Sequence, residues 1–139
     1  MCAGTALALE VVVSEAWTRA TAPGQTVAGV YFDIESDSDA RLVGVETRLT
    51  DVAELHYMKM EDGVMRMRSL PKVDLPARET VKFAPGGLHV MLFELKRPLE
   101  AGGELGLTLL VEDAGGQQTR VDVSAEVRNF DGSKAHHHH

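Results

Sequence analysis

The chain has 139 residues, enough for one domain with its own core and too few for two. With 44% apolar and 25% charged residues it is not a disordered chain, and a net charge of −7 argues against nucleic acid or an anionic membrane surface as partner, since both need a basic field. No apolar run reaches the roughly 18 residues of a spanning helix, and the one cysteine, Cys2, permits neither an intrachain disulfide nor a thiolate metal cluster.

Period-two alternation broken by frequent turn signals predicts short antiparallel strands. The first candidates in chain order are Leu7 to Val13, Thr26 to Ile34, Leu42 to Leu49, Ala53 to Met60 and Val64 to Leu70. Thr80 to Phe83, Leu88 to Leu95, Leu105 to Glu112 and Thr119 to Val127 follow. Pro71 and Pro76 bracket a short extended segment unsuited to a central strand. Pro23-Gly24, Glu61-Asp62-Gly63, Pro85-Gly86-Gly87, Gly102-Gly103 and Ala114-Gly115-Gly116 supply the turns. Alternation is cleanest at the end, where Leu105, Leu107, Leu109 and Val111 share one face, as do Val121, Val123, Ala125 and Val127. About eight or nine short strands at these spacings predict an all-β, two-sheet sandwich with Greek-key connections, a single domain over residues 7–128. Residues 132–139 read as a cloning remnant, Gly132 to Ala135, and a purification tag, His136 to His139.

With the tag set aside, two histidines remain, His56 and His89, and Met1 reads as an added initiator. The other methionines are Met58, Met60, Met65, Met67 and Met91, so every such donor lies between positions 56 and 91. On strands, His56, Met58 and Met60 share a face, and so do His89 and Met91. Two registers are open for the intervening hairpin. A two-residue type I′ turn at Asp62-Gly63 sets Met60 against Met65 and Met58 against Met67, and puts Met67 on the His56 face. A three-residue turn that includes Glu61 sends Met67 to the other face.

Imidazole nitrogen with thioether sulfur suits a soft monovalent ion, Cu(I). Zinc recruits thiolate or carboxylate beside histidine, and a blue-copper centre needs a cysteine next to two histidines. Methionine also packs as a flexible gap-filler, and a buried histidine is commonly structural, so spacing alone leaves packing and metal binding open. Trp17 reads as a core anchor. Glu61, Asp62 and Glu94 read as solvated turn charges, although such carboxylates can orient an imidazole.

The order of these residues resembles the periplasmic copper chaperones of the PCu(A)C family, which share His, ten residues, Met, twenty-one residues, His, one residue, Met. Here His56 is followed after ten residues by Met67, after twenty-one more by His89, and after one more by Met91. The flanks are similar too: His56-Tyr57-Met58-Lys59-Met60-Glu61-Asp62-Gly63-Val64-Met65-Arg66-Met67, Pro85-Gly86-Gly87-Leu88-His89-Val90-Met91-Leu92 and Leu95-Lys96-Arg97-Pro98-Leu99. The resemblance spans roughly positions 10 to 127. It implies a cupredoxin-like or immunoglobulin-like β-sandwich holding one Cu(I) through His56, Met67, His89 and Met91. It also implies a non-enzymatic carrier that delivers copper to the Cu(A) centre of cytochrome c oxidase, with that enzyme's subunit II or Sco-type proteins as partners. Such a chain acts in the periplasm and meets the membrane only if Cys2 is lipidated. Met58, Met60 and Met65 fall outside the family's ligand pattern and read either as packing or as spare donors that a leaving copper visits.

Two other classes are weighed. A non-metal β-sandwich interaction module would use the methionines as a contact surface. A copper enzyme would need an open coordination position, and no catalytic triad, acid pair or phosphate-binding loop is evident in the sequence.

Overall fold

The structure, a computed structural model, describes residues 9–134. It contains β1 (Val11–Arg19), β2 (Ala28–Ser36), β3 (Ala40–Glu46), β4 (Val52–Glu61) and β5 (Val64–Leu70). These are followed by β6 (Val73–Leu75), β7 (Thr80–Phe83), β8 (Leu88–Phe93), β9 (Glu104–Asp113) and β10 (Gln118–Arg128). The segment between the two prolines is the additional strand, β6. Among the described residues it lies at the end of the strand order and pairs with β3 alone, a position where proline-bounded strands are tolerated.

Strand β1 departs most from the expected bounds. It runs on past Val13 to Arg19, because a bulge between Ser14 and Trp17 shifts the alternation by one. Val13 lies opposite Ile34 and Trp17 opposite Tyr31, so the inward set changes from Val11 and Val13 to Ala16 and Thr18. Glu15 takes a φ of 56° to make the bulge. Cys2 and His136 to His139 lie outside the described residues. Gly132, at the start of the expected cloning remnant, closes a turn on Asn129 and packs beside Trp17.

Strands pair in the order β5-β4-β8-β7-β2-β1-β10-β9-β3-β6, with β8 also beside β2. β1 joins the two halves of this ladder, antiparallel to β2 and parallel to β10. The ladder folds back so that β3 approaches β4, and a cupredoxin-like β-sandwich results. Between its layers lie Val30, Phe32 and Ile34 of β2, Leu42, Leu55, Leu75 and Phe83, Val90 and Leu92 of β8, and Leu105 to Val111 at alternate positions of β9. Phe32 and Phe83 face each other across strands and stack at 4.5 Å. Of the β10 face, Ala125 and Val127 are buried, while Val121 and Val123 pack at its margin.

Two local features shape the outer surface near β4. Asp62 and Gly63 both take positive φ, 50° and 80°, the signature of a two-residue type I′ turn. The β4–β5 pairing is therefore Glu61 with Val64, Met60 with Met65, Met58 with Met67 and His56 with Ser69. At the other end, Pro85 lacks a ladder donor and interrupts the strand beside β2. β7 and β8 consequently lie end to end along β2, joined by a turn in which Gly87 N–H donates to the Ala84 carbonyl at 3.0 Å.

Candidate metal centre

Strands β5, β4 and β8 are neighbours, and direct partners across a ladder share a face. His56 lies directly opposite His89, Glu54 opposite Met91, and Met58 opposite Met67. Hence His56, Met67, His89 and Met91 occupy one face, the one turned away from the core residues Leu55, Val90 and Leu92. The imidazole rings are 5.8 Å apart between centroids. Met67 approaches His56 diagonally from the hairpin side, at about 7–8 Å between Cα atoms by sheet geometry. Met91 follows His89 by two residues on the same strand, about 7 Å along it.

Although they face outward, both histidines are buried, at 8% and 5% exposure. Aromatic rings wall them in: Phe93 lies 5.8 Å from His56, and Tyr31 lies 6.4 Å from His89. Tyr31 can lie there because its neighbour on β2 is Gly29. A Cβ at that position would stand 2.8 Å from the Tyr31 hydroxyl. Trp17 packs on the far side of Tyr31 at 4.8 Å, flanked by the guanidinium groups of Arg128 and Arg19 at 4.5 and 5.3 Å. Trp17 is thus half-buried on this outer face and not a core anchor, because the β1 bulge turns it out of the sandwich.

The hydrogen bonds of the two rings fix their tautomers. His89 Nδ1 lies 3.0 Å from the Gly87 carbonyl, and His56 Nε2 lies 3.3 Å from Glu54 Oε1. Both partners only accept, so both of those ring nitrogens carry the proton. The remaining nitrogens, His56 Nδ1 and His89 Nε2, are buried and have no hydrogen-bond partner. Leaving a buried polar atom unsatisfied costs about 1–3 kcal/mol. The two atoms belong to residues 33 positions apart in sequence that are direct partners across the β4–β8 ladder, so two unused lone pairs lie on neighbouring rings. The Gly87 carbonyl also receives the Met58 N–H at 3.2 Å, which ties the turn after β7 to β4.

The methionines differ in access. Met67 is 43% exposed, whereas Met91 is half-buried. Among the described residues, no three His, Cys, Asp or Glu side chains gather as a metal site. The donor set on this face is two neutral imidazole nitrogens with thioethers beside them, which suits a soft monovalent ion and not zinc. Of the carboxylates considered from the sequence, Glu61 pairs instead with Arg68 at 2.7 Å, and Arg68 holds its carboxyl below the usual range. The carboxylate that orients an imidazole is Glu54, which period-two spacing from His56 could have indicated. Tyr31 and Phe93 had no comparable signal.

A β-sandwich with paired imidazoles and thioethers on the outer face of one sheet defines a class of soft-metal-binding domain. Residues 11–123 match the family described as "Putative lipoprotein LpqE-like", and the chain belongs to that family. It is 32% identical over 126 residues to "Putative lipoprotein Lxx21020" of Leifsonia xyli subsp. xyli, covering 88% of this chain and 72% of that protein. Among solved structures, the copper-bound PCuAC domain from PmoF2 is 26% identical with a TM-score of 0.69, over 86% of this chain and 92% of that one. The Cu(I) form of DR1885 from Deinococcus radiodurans is 31% identical with a TM-score of 0.63, over 84% and 76% of the two chains.

Proposed function

We propose that this protein is a Cu(I) carrier whose cargo is held by His56, Met67, His89 and Met91. The observation that carries this reading is the pair of buried, unpartnered imidazole lone pairs, His56 Nδ1 and His89 Nε2, on a face flanked by thioethers. The copper-bound domains of similar fold support it. All four donors are neutral, so the ion keeps its positive charge, and the Glu54 carboxylate behind His56 offsets part of it. Transfer requires ligands that leave one at a time. The exposed Met67 sulfur is the donor a recipient can displace first, and the buried imidazoles are the last to let go. The chain carries out no covalent chemistry in this role.

The recipient we propose is the Cu(A) centre of cytochrome c oxidase subunit II, directly or through Sco-type proteins, on the periplasmic or other extracytoplasmic side. Relatives named as lipoproteins support that location, and acylation of Cys2 would tether the domain to the membrane. The test is anaerobic Cu(I) titration against a chromophoric chelator, on protein from which His136 to His139 have been removed. One tightly bound Cu(I) per chain is expected, with His89→Ala and Met91→Ala each losing it at unchanged circular dichroism. Affinity no greater than the tag confers would leave an interaction module with a methionine contact surface.

A further inference from the structure

Beside Met67 and Met91, the proposed ligands, the described residues contain three more methionines, Met58, Met60 and Met65. Met58 sits opposite Met67, and Met60 opposite Met65, so four thioethers form two consecutive rungs on one face of the β4–β5 hairpin. That face continues the surface that bears His56. The rungs are not packing into the sandwich. Met60 is 61% exposed, Met65 45% and Met67 43%, and all of β5 before Leu70 is exposed. The opposite face of the hairpin carries the charge: Lys59 pairs across from Arg66, and Glu61 bridges to Arg68 and Arg66. One side of the hairpin is thus sulfur and the other is ionic.

We propose that Met58, Met60 and Met65 form a second, weaker Cu(I) site made only of thioethers, adjoining the first through Met67. This rests on the reading that the chain carries Cu(I). Direct cross-strand partners hold their Cβ atoms about 4.5–5.5 Å apart, and methionine has three rotatable bonds with which to turn its sulfur toward a shared ion. Thioether donors select a soft ion and discriminate against zinc and other harder divalent ions. The site lacks the buried imidazoles that hold the first ion, so it binds less tightly. Its exposure places it where an ion arrives or departs, with Met67 common to both rungs and centre. Movement along the ladder is ligand exchange at constant Cu(I) oxidation state, with no electron or proton transferred.

The experiment is residue-resolved. Protein labelled with 13C-methyl methionine is titrated under argon with Cu(I), supplied as its acetonitrile complex, up to saturation. The first equivalent is expected to shift the methyl signals of Met67 and Met91. Further equivalents are expected to shift Met58, Met60 and Met65. In the double variant Met60→Leu, Met65→Leu, the later shift of Met58 should need at least tenfold more Cu(I), while the first equivalent titrates as before. The proposal is overturned if Met58, Met60 and Met65 stay unmoved at saturation, or if the double variant titrates like the parent. Failure of Met67 and Met91 to respond to the first equivalent would instead strike at the carrier reading, whatever the ladder does.

Discussion

Glu54→Ala tests whether the hydrogen bond behind His56 sets the quality of the centre. In the parent, the carboxylate accepts from Nε2, so Nδ1 keeps its lone pair and the ring its orientation. Removing such a partner typically costs 10–100-fold in metal affinity. Two features of this contact point to the lower end of that range. Its length of 3.3 Å is long for a charge-assisted bond, and the Glu54 side chain is 43% exposed, so water screens it and can replace it. The expected loss is therefore about tenfold in Cu(I) affinity, or about 1.4 kcal/mol. Chelator competition measures the affinity, and long-range 15N–1H correlation of the His56 ring reports the tautomer. The metal-free parent should show the Nε2–H form and the variant a mixture of both forms. A variant that binds within about twofold of the parent, with His56 still in one tautomer, would refute the role assigned to Glu54.

Other substitutions probe the support around the centre. Gly29→Ala places a Cβ 2.8 Å from the Tyr31 hydroxyl, closer than the two atoms can pack, so Tyr31 must shift from His89 and loosen from Trp17. A changed Trp17 fluorescence spectrum at unchanged circular dichroism is the expected result. Phe32→Ala removes half of the stacked pair in the core and should cost about 3–5 kcal/mol in denaturant unfolding. Acid should loosen the β4–β5 hairpin through Glu61. Its carboxyl is held below the reference value of 4.5, chiefly by the Arg68 hydrogen bond. The pairing therefore contributes fully above that value and is lost as pH falls through the lower folded one. Protection factors of hairpin amides, corrected for the intrinsic pH dependence of exchange, should fall over that window, and Glu61→Gln should flatten the dependence.

What could be read in the sequence was what depends on local spacing. Asp62-Gly63 favours the two-residue turn, and the positive φ of both residues selects the register that puts Met67 on the His56 face. Period two placed Val90 and Leu92 inward and His89 and Met91 outward. The misses share a different cause. The β1 bulge breaks the period at Glu15, so the alternation that identifies a strand fails where Trp17 begins to matter. Tyr31 reaches His89 only because β2 pairs with β8, a contact between residues far apart in the chain. The Gly87 carbonyl is a backbone acceptor that no side-chain pattern reveals.

The pairing of His56 with His89 has a consequence for when the protein can hold its ion. The chain between them forms the hairpin, contributes β6 at the far edge and reverses through Pro85, so β8 meets β4 across a separation of 33 positions in sequence. Contacts of such long loop form late in folding, after the entropy of closure has been overcome. A chain still emerging, or threaded through a membrane in extended form, carries its nitrogens and sulfurs dispersed along a flexible strand. Under the proposed reading, a complete centre exists once β8 has paired with β4, and the two imidazoles come together as a product of the fold.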